Sequence, residues 1–150
     1  MSEALKELVF VGGGHAHALV LKEFGLNPIA NTRITLVSEQ KLTPYSGMLP
    51  GFVAGHYSYI DAHIDLSHLC QWANVHFIEG TVTAINADAN TIFFGSETLK
   101  YDQLSIDVGS TPDLSLPGAR EYATGVQSRV MLSNSEVKSR RWVALNVAAP

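Results

Sequence analysis

Three consecutive glycines near the start of the chain, Gly12, Gly13 and Gly14, constrain its fold more than any other feature. They follow a short apolar run (residues 8–11, Leu-Val-Phe-Val) that has the length and composition of a buried strand. The Ala- and Leu-containing stretch after them, residues 15–24, favours a helix. A strand, a glycine turn and a helix in this order are typical of the start of a dinucleotide-binding βαβ unit.

The geometry of such a turn explains how it would bind a pyrophosphate. Gly12 allows a sharp turn off the strand, and Gly14 has no Cβ, so that the backbone can approach the anion closely. The N–H groups of the first helical turn, at His15 and Ala16, and the positive end of the helix dipole then face the ligand. The alternative is a glycine-rich turn that binds nothing.

One position departs from the G-x-G-x-x-G pattern. Counted from Gly12, the third glycine falls at residue 17, which is a histidine. That glycine normally allows the helix and the strand to pack closely. We therefore expect either a looser crossing of the two elements or an imidazole of His17 that points outward.

The residues after the second predicted strand, 33–37, bear on the choice of nucleotide. A ribose-binding Asp or Glu is expected here, about 20 or more residues after the glycines. Ser38 holds that position and Glu39 follows it, so that ribose recognition is weakened or passes to Glu39. Alternatively, Ser38 and Lys41 bind the 2′-phosphate of NADP.

Further elements are predicted to complete a parallel sheet and to add a small antiparallel meander. Gly25 ends the first helix, whose residues 16, 19, 20 and 24 would face the sheet. Asp65 caps a helix over residues 66–73, in which Cys70 is a core residue. The predicted strands that follow are residues 75–79, 81–85, 91–94, 98–101 and 104–108.

Composition excludes several classes of protein. The 150 residues carry a net charge of −4 and no basic run, which argues against nucleic acid as a main partner. No apolar stretch reaches the roughly 18 residues of a spanning helix, and no signal peptide pattern is present. The single cysteine suits a reducing cytoplasm, and the six histidines lack the spacing of metal ligands.

Two further motifs follow the glycine turn in order. Residues 43–51 read Thr-Pro-Tyr-Ser-Gly-Met-Leu-Pro-Gly. Large apolar residues in a loop that Pro and Gly interrupt suggest that it forms one wall of a binding site. Residues 101–102 (Tyr-Asp) precede residues 107–112, which read Asp-Val-Gly-Ser-Thr-Pro. With these motifs, residues 8–122 resemble the N-terminal part of the FAD-dependent pyridine nucleotide–disulfide oxidoreductases. The nearest likeness is to the type II NADH dehydrogenase-like branch and to flavoproteins found with selenide, water dikinase.

The resemblance implies an α/β, Rossmann-like FAD/NAD(P)-binding fold with a parallel sheet and a small antiparallel β-meander, incomplete at the C-terminus. It implies that the glycines hold the FAD pyrophosphate, that the strand near Val82 meets the adenine, and that residues 107–109 close over the cofactor. The loop at residues 43–51 would lie near the flavin or its ribityl chain. The candidate cofactor-binding residues are Gly12, Gly13, Gly14, His15, Ala16, Ser38, Glu39, Pro44, Tyr45, Ser46, Thr81, Val82, Asp107, Val108 and Gly109.

The implied activity is hydride transfer from NAD(P)H, a co-substrate of the complete family enzyme, to FAD, and electron transfer on to a quinone or another acceptor. No catalytic acid or base is identified, and a Cys-x-x-x-x-Cys dithiol is absent. A non-catalytic FAD- or NADP-binding module is the alternative.

The resemblance also divides the chain. Residues 1–125 would form the FAD-binding part, and residues 126–150 an amphipathic tail that leads to an absent NAD(P)H domain. Since the sequence has no second glycine motif, we expect an N-terminal fragment that is inactive alone. We expect the isolated chain to pair with another copy or a partner chain through this tail, to leave the tail mobile, or to aggregate.

Overall fold

The computed structural model describes residues 4–109 and 115–122. The predicted tail at residues 126–150 and part of the third motif, residues 110–112, lie outside them. The described residues form two compact units, one of residues 4–45 and 63–109 and the other of residues 46–62 and 115–122.

The elements follow one another in the order β, α, β, with short strands and helices after them. In chain order they are β1 (Lys6–Val11), α1 (His15–Leu26), β2 (Thr32–Ser38), β3 (Leu42–Pro44), a 3-10 turn (Ser46–Met48), α2 (Leu49–Val53), β4 (His63–Asp65), α3 (Leu66–Trp72), β5 (His76–Glu79), β6 (Val82–Asn86), β7 (Thr91–Phe94), β8 (Glu97–Lys100), β9 (Gln103–Ile106) and α4 (Ala119–Tyr122).

A parallel sheet in the order β5-β2-β1-β9 forms the centre of the first unit. The register pairs Phe10 of β1 with Leu36 of β2 on one side and with Ser105 of β9 on the other. Because β1 and β2 are covered on both faces, their sequences are nearly continuous apolar runs, as is usual in parallel sheets. The predicted parallel sheet is therefore confirmed.

Each face of this sheet packs against a different layer. One face packs on α1 and α3 through a buried cluster of Phe10, Ala18, Leu21, Ile34, Leu36, Leu66, Cys70, Ala73 and Val75. The opposite face packs on the antiparallel sheet β6-β7-β8 through Val9, Val11, Val37, Ile92 and Phe94. The predicted meander is confirmed, and it forms the third layer of the unit.

Helix α1 differs from its prediction at its end and in its buried face. It continues to Leu26, so that Gly25 lies within the helix, where the ring of Trp72 fills the space that a side chain would need. The buried residues are His17, Ala18 and Leu21, whereas the predicted Ala16, Leu19 and Val20 are exposed. The prediction was wrong because apolar residues lie on several sides of α1, so that their spacing does not define one face.

The predicted helix cap at Asp65 is confirmed. The Oδ1 atom of Asp65 accepts hydrogen bonds from the backbone N–H of His68, at 2.9 Å, and from the hydroxyl of Ser67, at 2.8 Å. Cys70 of α3 is fully buried, as predicted. The sequence did not predict β3 and β4, which pair as a small antiparallel ribbon.

The second unit contains the 3-10 turn, α2 and α4 among its described residues. Pro50 lies in the first turn of α2, where its missing N–H costs no helical hydrogen bond. Leu49 and Ala62 are buried here, with Met48 and Phe52 packed against them. Across both units, the helices that the structure describes include none that is long and apolar enough to cross a membrane.

Candidate functional site

The glycine turn leaves β1 at Gly12, in a conformation that requires glycine. Gly12 has a φ of +92°, and its N–H donates to the carbonyl of Val37 at 2.8 Å. A Cβ at this position would overlap the backbone of Asp107, which follows β9. The turn is therefore enclosed by the ends of β2 and β9.

The other two glycines leave room for side chains of neighbouring elements. A Cβ at Gly13 would overlap the side chain of Leu66 and lie 2.9 Å from Oγ of Ser38. A Cβ at Gly14 would overlap the carboxylate of Asp107. In this structure, the absence of a side chain at Gly14 thus makes room for Asp107, and the predicted approach of a pyrophosphate stays a prediction.

Helix α1 begins immediately after the turn and has no side-chain cap from Gly14. The N–H of His17 donates to Oδ2 of Asp107 at 3.1 Å, and that of Ala18 donates to the carbonyl of Gly14 at 3.1 Å. Within residues 4–109 and 115–122, the N–H groups of Gly13, His15 and Ala16 have no acceptor. Three such donors at the positive end of a twelve-residue helix fit an anion.

The imidazole of His17 points into the protein. The side chain is only 3% exposed, and its ring lies 4.6 Å from the ring of Phe10, between centroids. Nδ1 lies 2.7 Å from the carbonyl oxygen of Gly12, and Nε2 lies 2.9 Å from Oγ of Ser105. An outward orientation is therefore excluded, because the ring has hydrogen-bond partners in the glycine turn and on β9.

The end of β2 brings two groups of predicted residues together. Ser38 is buried, and its hydroxyl donates to the carbonyl of Gln40 at 3.1 Å. Its carbonyl accepts a hydrogen bond from the N–H of Gly80 at 2.9 Å, so that Thr81 and Val82 lie beside the end of β2. Glu39 and Thr81 are exposed, and Val82 packs against the core.

The residues after β9 are held directly against the glycine turn. The N–H of Asp107 donates to the carbonyl of Val11 at 2.8 Å, and the carbonyl of Asp107 accepts from the N–H of Gly14 at 3.0 Å. Val108 and Gly109 continue from there and are exposed. The structure thus places Asp107 and Val108 at the glycine turn.

The residues predicted from the second motif separate into two groups. Pro44 pairs with His63 in the β3–β4 ribbon. The ring of Tyr45 contacts the ring of His15 edge to face, with 4.5 Å between centroids, and so lies at the start of α1. Ser46 begins the second unit, and its place in the site stays a prediction.

Two other kinds of site find no support in the geometry. In the described ranges, no group of three His, Cys, Asp or Glu side chains is close enough to hold a metal ion. Burial raises the pKa of the Cys70 thiol to about 11, which leaves little of the reactive thiolate at neutral pH.

The sequence did not predict that the ring of His17 points into the protein. It also did not predict that the carboxylate of Asp107 lies against Gly14. The signal available was the alternation of Ser105, Ile106 and Asp107, which puts two polar side chains on the same side of an otherwise apolar strand.

The chain is similar to several oxidoreductases. No family model matches the sequence. The chain is 29% identical to sulfide-quinone reductase from Aquifex aeolicus over 126 residues, which are 81% of this chain and 28% of that protein. The crystal structure of the sulfide:quinone oxidoreductase from the same bacterium matches 85% of this chain and 30% of that one, with a TM-score of 0.70 and 28% identity.

Other structures share the same arrangement. Putidaredoxin reductase, in its covalent complex with putidaredoxin, matches 78% of this chain and 28% of its own with a TM-score of 0.61 and 25% identity. NDH2 from Plasmodium falciparum matches 85% of this chain and 28% of its own with a TM-score of 0.66. Its sequence identity of 16% supports a shared fold only. This is a Rossmann-like FAD/NAD(P)-binding fold. The chain spans less than a third of the length of the relatives named here.

Proposed function

We propose that this chain binds FAD at its glycine turn and is the FAD-binding part of an oxidoreductase. The observation that carries the proposal is that, within the part of the chain that the structure describes, the N–H groups of Gly13, His15 and Ala16 at the start of α1 have no acceptor. They lie where the first strand, turn and helix of a Rossmann-like fold meet. The likeness to sulfide-quinone reductase supports the same class of protein.

The proposed roles follow the placement of the residues in the first unit. The three N–H groups bind the pyrophosphate. Ser38, Glu39, Thr81 and Val82 lie at the end of β2, on the side proposed for the ribose and adenine. Pro44, Tyr45 and Ser46 are proposed to lie nearer the flavin, and residues 107–109 to close over the cofactor.

When bound, FAD supplies hydride acceptance from NAD(P)H and electron transfer to a quinone or another acceptor. The residues of this chain bind and orient the cofactor. Because the chain covers 28% of its sulfide-quinone reductase relative, the activity of a complete enzyme is itself part of the proposal. Four points stay predictions: the type II NADH dehydrogenase-like branch, the link to the enzyme selenide, water dikinase, the cytoplasmic location and the partner for the tail.

The surroundings of Ser38 favour FAD over NADP. The hydroxyl of Ser38 already donates to Gln40, and the ammonium of Lys41 lies 3.3 Å from Oε2 of Glu79. A 2′-phosphate placed there would meet the negative charge of Glu79 and would have to displace it from Lys41.

The test measures FAD binding by the wild-type chain and by His15→Pro. Proline is tolerated at the first helical position, and the preceding Gly14 already has the extended ψ of 170° that a following proline favours. His15→Pro therefore removes one unpaired N–H and keeps the helix. A hydrogen bond to a charged group contributes about 1.5–3 kcal/mol, so we expect FAD to bind about tenfold more weakly or worse.

The matched control is His15→Ala, which loses the same imidazole and its contact with Tyr45 but keeps the N–H. Equal affinities of the two variants would place the anion elsewhere. Wild-type protein that takes up no FAD would refute the proposal. We expect no reduction of the bound FAD by NADH in this chain alone, and reduction, if it is seen, would exclude a non-catalytic module.

A further inference from the structure

His17 makes three hydrogen bonds within the site, although it stands where the motif has a glycine. Its backbone N–H donates to Asp107, while its ring nitrogens contact the carbonyl of Gly12 and the hydroxyl of Ser105. Ser105 and Asp107 are two residues apart, so that both side chains face α1. One histidine thus joins the turn, the helix and the last strand of the sheet.

The chemistry of the partners fixes which nitrogen of the ring carries a proton. The carbonyl of Gly12 can only accept a hydrogen bond, so Nδ1, 2.7 Å away, is the donor. In the neutral ring, Nε2 then accepts from the hydroxyl of Ser105. The side chain is 3% exposed and lies against the ring of Phe10, so both bonds are shielded from bulk water.

The hydrogen bond from His17 to the carbonyl of Gly12 also sets the direction of the Gly13 N–H, which belongs to the same peptide group. In a planar trans peptide, the C=O of one residue and the N–H of the next point in opposite directions. His17 holds the Gly12 carbonyl toward the protein interior, and the N–H of Gly13 therefore points away from it. That N–H is one of the three unpaired donors of the turn.

We infer that His17 is a positioning residue, which orients the Gly13 N–H toward the cofactor anion through its Nδ1–H bond to Gly12. It replaces the third glycine of the motif by a hydrogen-bonded ring. This inference rests on the proposed function, because the anion is that of the proposed FAD. His17 itself does not touch the cofactor.

The experiment compares FAD affinity in His17→Ala, His17→Asn and Ser105→Ala, with urea unfolding of each apoprotein measured in parallel. His17→Ala removes the donor to Gly12, and we expect FAD to bind about tenfold more weakly, as for one lost hydrogen bond at a buried site. His17→Asn places an amide N–H where Nδ1 stood and should recover affinity to within about threefold of wild type. Ser105→Ala keeps the bond to Gly12 and should likewise stay within about threefold.

The rescue by Asn separates positioning from a merely structural role, because Asn fills the site worse than His yet keeps the donor. If His17→Asn binds FAD as weakly as His17→Ala, or if all variants bind like wild type, the inference is wrong while the proposed function stands. If wild-type protein binds no FAD, both fail. Nitrogen-15 NMR of the apoprotein gives a separate check, since a proton found on Nε2 instead of Nδ1 would refute the inference regardless of FAD.

Discussion

Oδ2 of Asp107 accepts a hydrogen bond from the backbone N–H of His17 at 3.1 Å, across 90 residues of sequence. Asp107 thereby caps α1 from the neighbouring strand, a role that a side chain at the residue before a helix usually performs. Gly14 cannot perform it, because it has no side chain. The helix that we propose to bind an anion thus already has one carboxylate at its N-terminus.

The first prediction concerns the charge of that carboxylate. Asp107→Asn keeps an acceptor for the His17 N–H and removes a negative charge beside the proposed pyrophosphate. We expect FAD to bind about threefold to tenfold more tightly, and the gain to shrink as salt is added. Titration of the apoprotein with FAD at low and high ionic strength measures both effects.

The control for this change is Asp102→Asn. Asp102 accepts a hydrogen bond from the N–H of Glu7 near the start of β1, about 16 Å along the strand from Gly12. The substitution Asp102→Asn removes the same negative charge, but at the far end of the sheet. An equal gain in both variants would mean that net charge, and not the position of Asp107, sets the affinity.

The second prediction concerns the close approach of Asp107 to Gly14. Gly14→Ala would put a Cβ into the carboxylate of Asp107 and should lower the free energy of unfolding by about 1–3 kcal/mol. In an Asp107→Ala background the overlapping atoms are gone, and the same substitution should cost markedly less. Gly80→Ala is the control, because its Cβ would lie in ordinary contact with Phe94, at 3.5 Å. Additive costs in the double variant would contradict the overlap.

The third prediction is that Cys70 reacts slowly in the folded protein. Burial disfavours the thiolate and raises the pKa from 9.0 to about 11. Because only the thiolate reacts, alkylation at pH 8 should be slower by about a hundredfold than in urea-unfolded chain, and closed packing slows it further. Mass spectrometry after timed iodoacetamide treatment measures the rates, and similar rates in both states would show that α3 opens readily.

The fourth prediction concerns the cap of α3. Hydrogen bonds from the backbone N–H of His68 and then from the Ser67 hydroxyl lower the pKa of Asp65. A lowered pKa in the folded state stabilises the protein above the ordinary value near 4, and this contribution is lost as the pH falls through the lowered pKa. Asp65→Ala should therefore cost about 1 kcal/mol at pH 7 and progressively less in acid.

Urea unfolding at several pH values tests this dependence. Asp88→Ala, in the exposed turn between β6 and β7, is the control and should change stability by less than about 0.5 kcal/mol. A cost at Asp65 that stays constant down to pH 2 would contradict an ionised cap.

Local signals in the sequence predicted most of the fold. The two inner strands of the central sheet, β1 and β2, contain apolar runs, and Asp65 precedes a helical pattern that it caps in the structure. The face of α1 was not predictable in this way. Leu19 and Val20 are apolar and yet exposed, so the pattern alone did not show that His17 and Ala18 face the sheet.

The candidate site was predictable in outline only. The glycine turn is a local motif, whereas the orientation of His17 depends on Ser105, which lies 88 residues further along the chain. The contact of Asp107 with Gly14 likewise depends on how β9 aligns beside β1. The ribbon of β3 and β4 was missed because three-residue strands carry little periodicity of their own.

The hydrogen bonds between the glycine turn and Asp107 also set an order of events during protein synthesis. Residues 12–17 leave the ribosome long before residue 107 exists, so the turn cannot reach its final form while the chain is still short. At about 5–20 residues per second, the delay is roughly 5 to 20 s. During that interval the first strand and helix have no partner at residues 105 and 107, and we expect the nascent chain to bind the proposed cofactor only after that segment has been made.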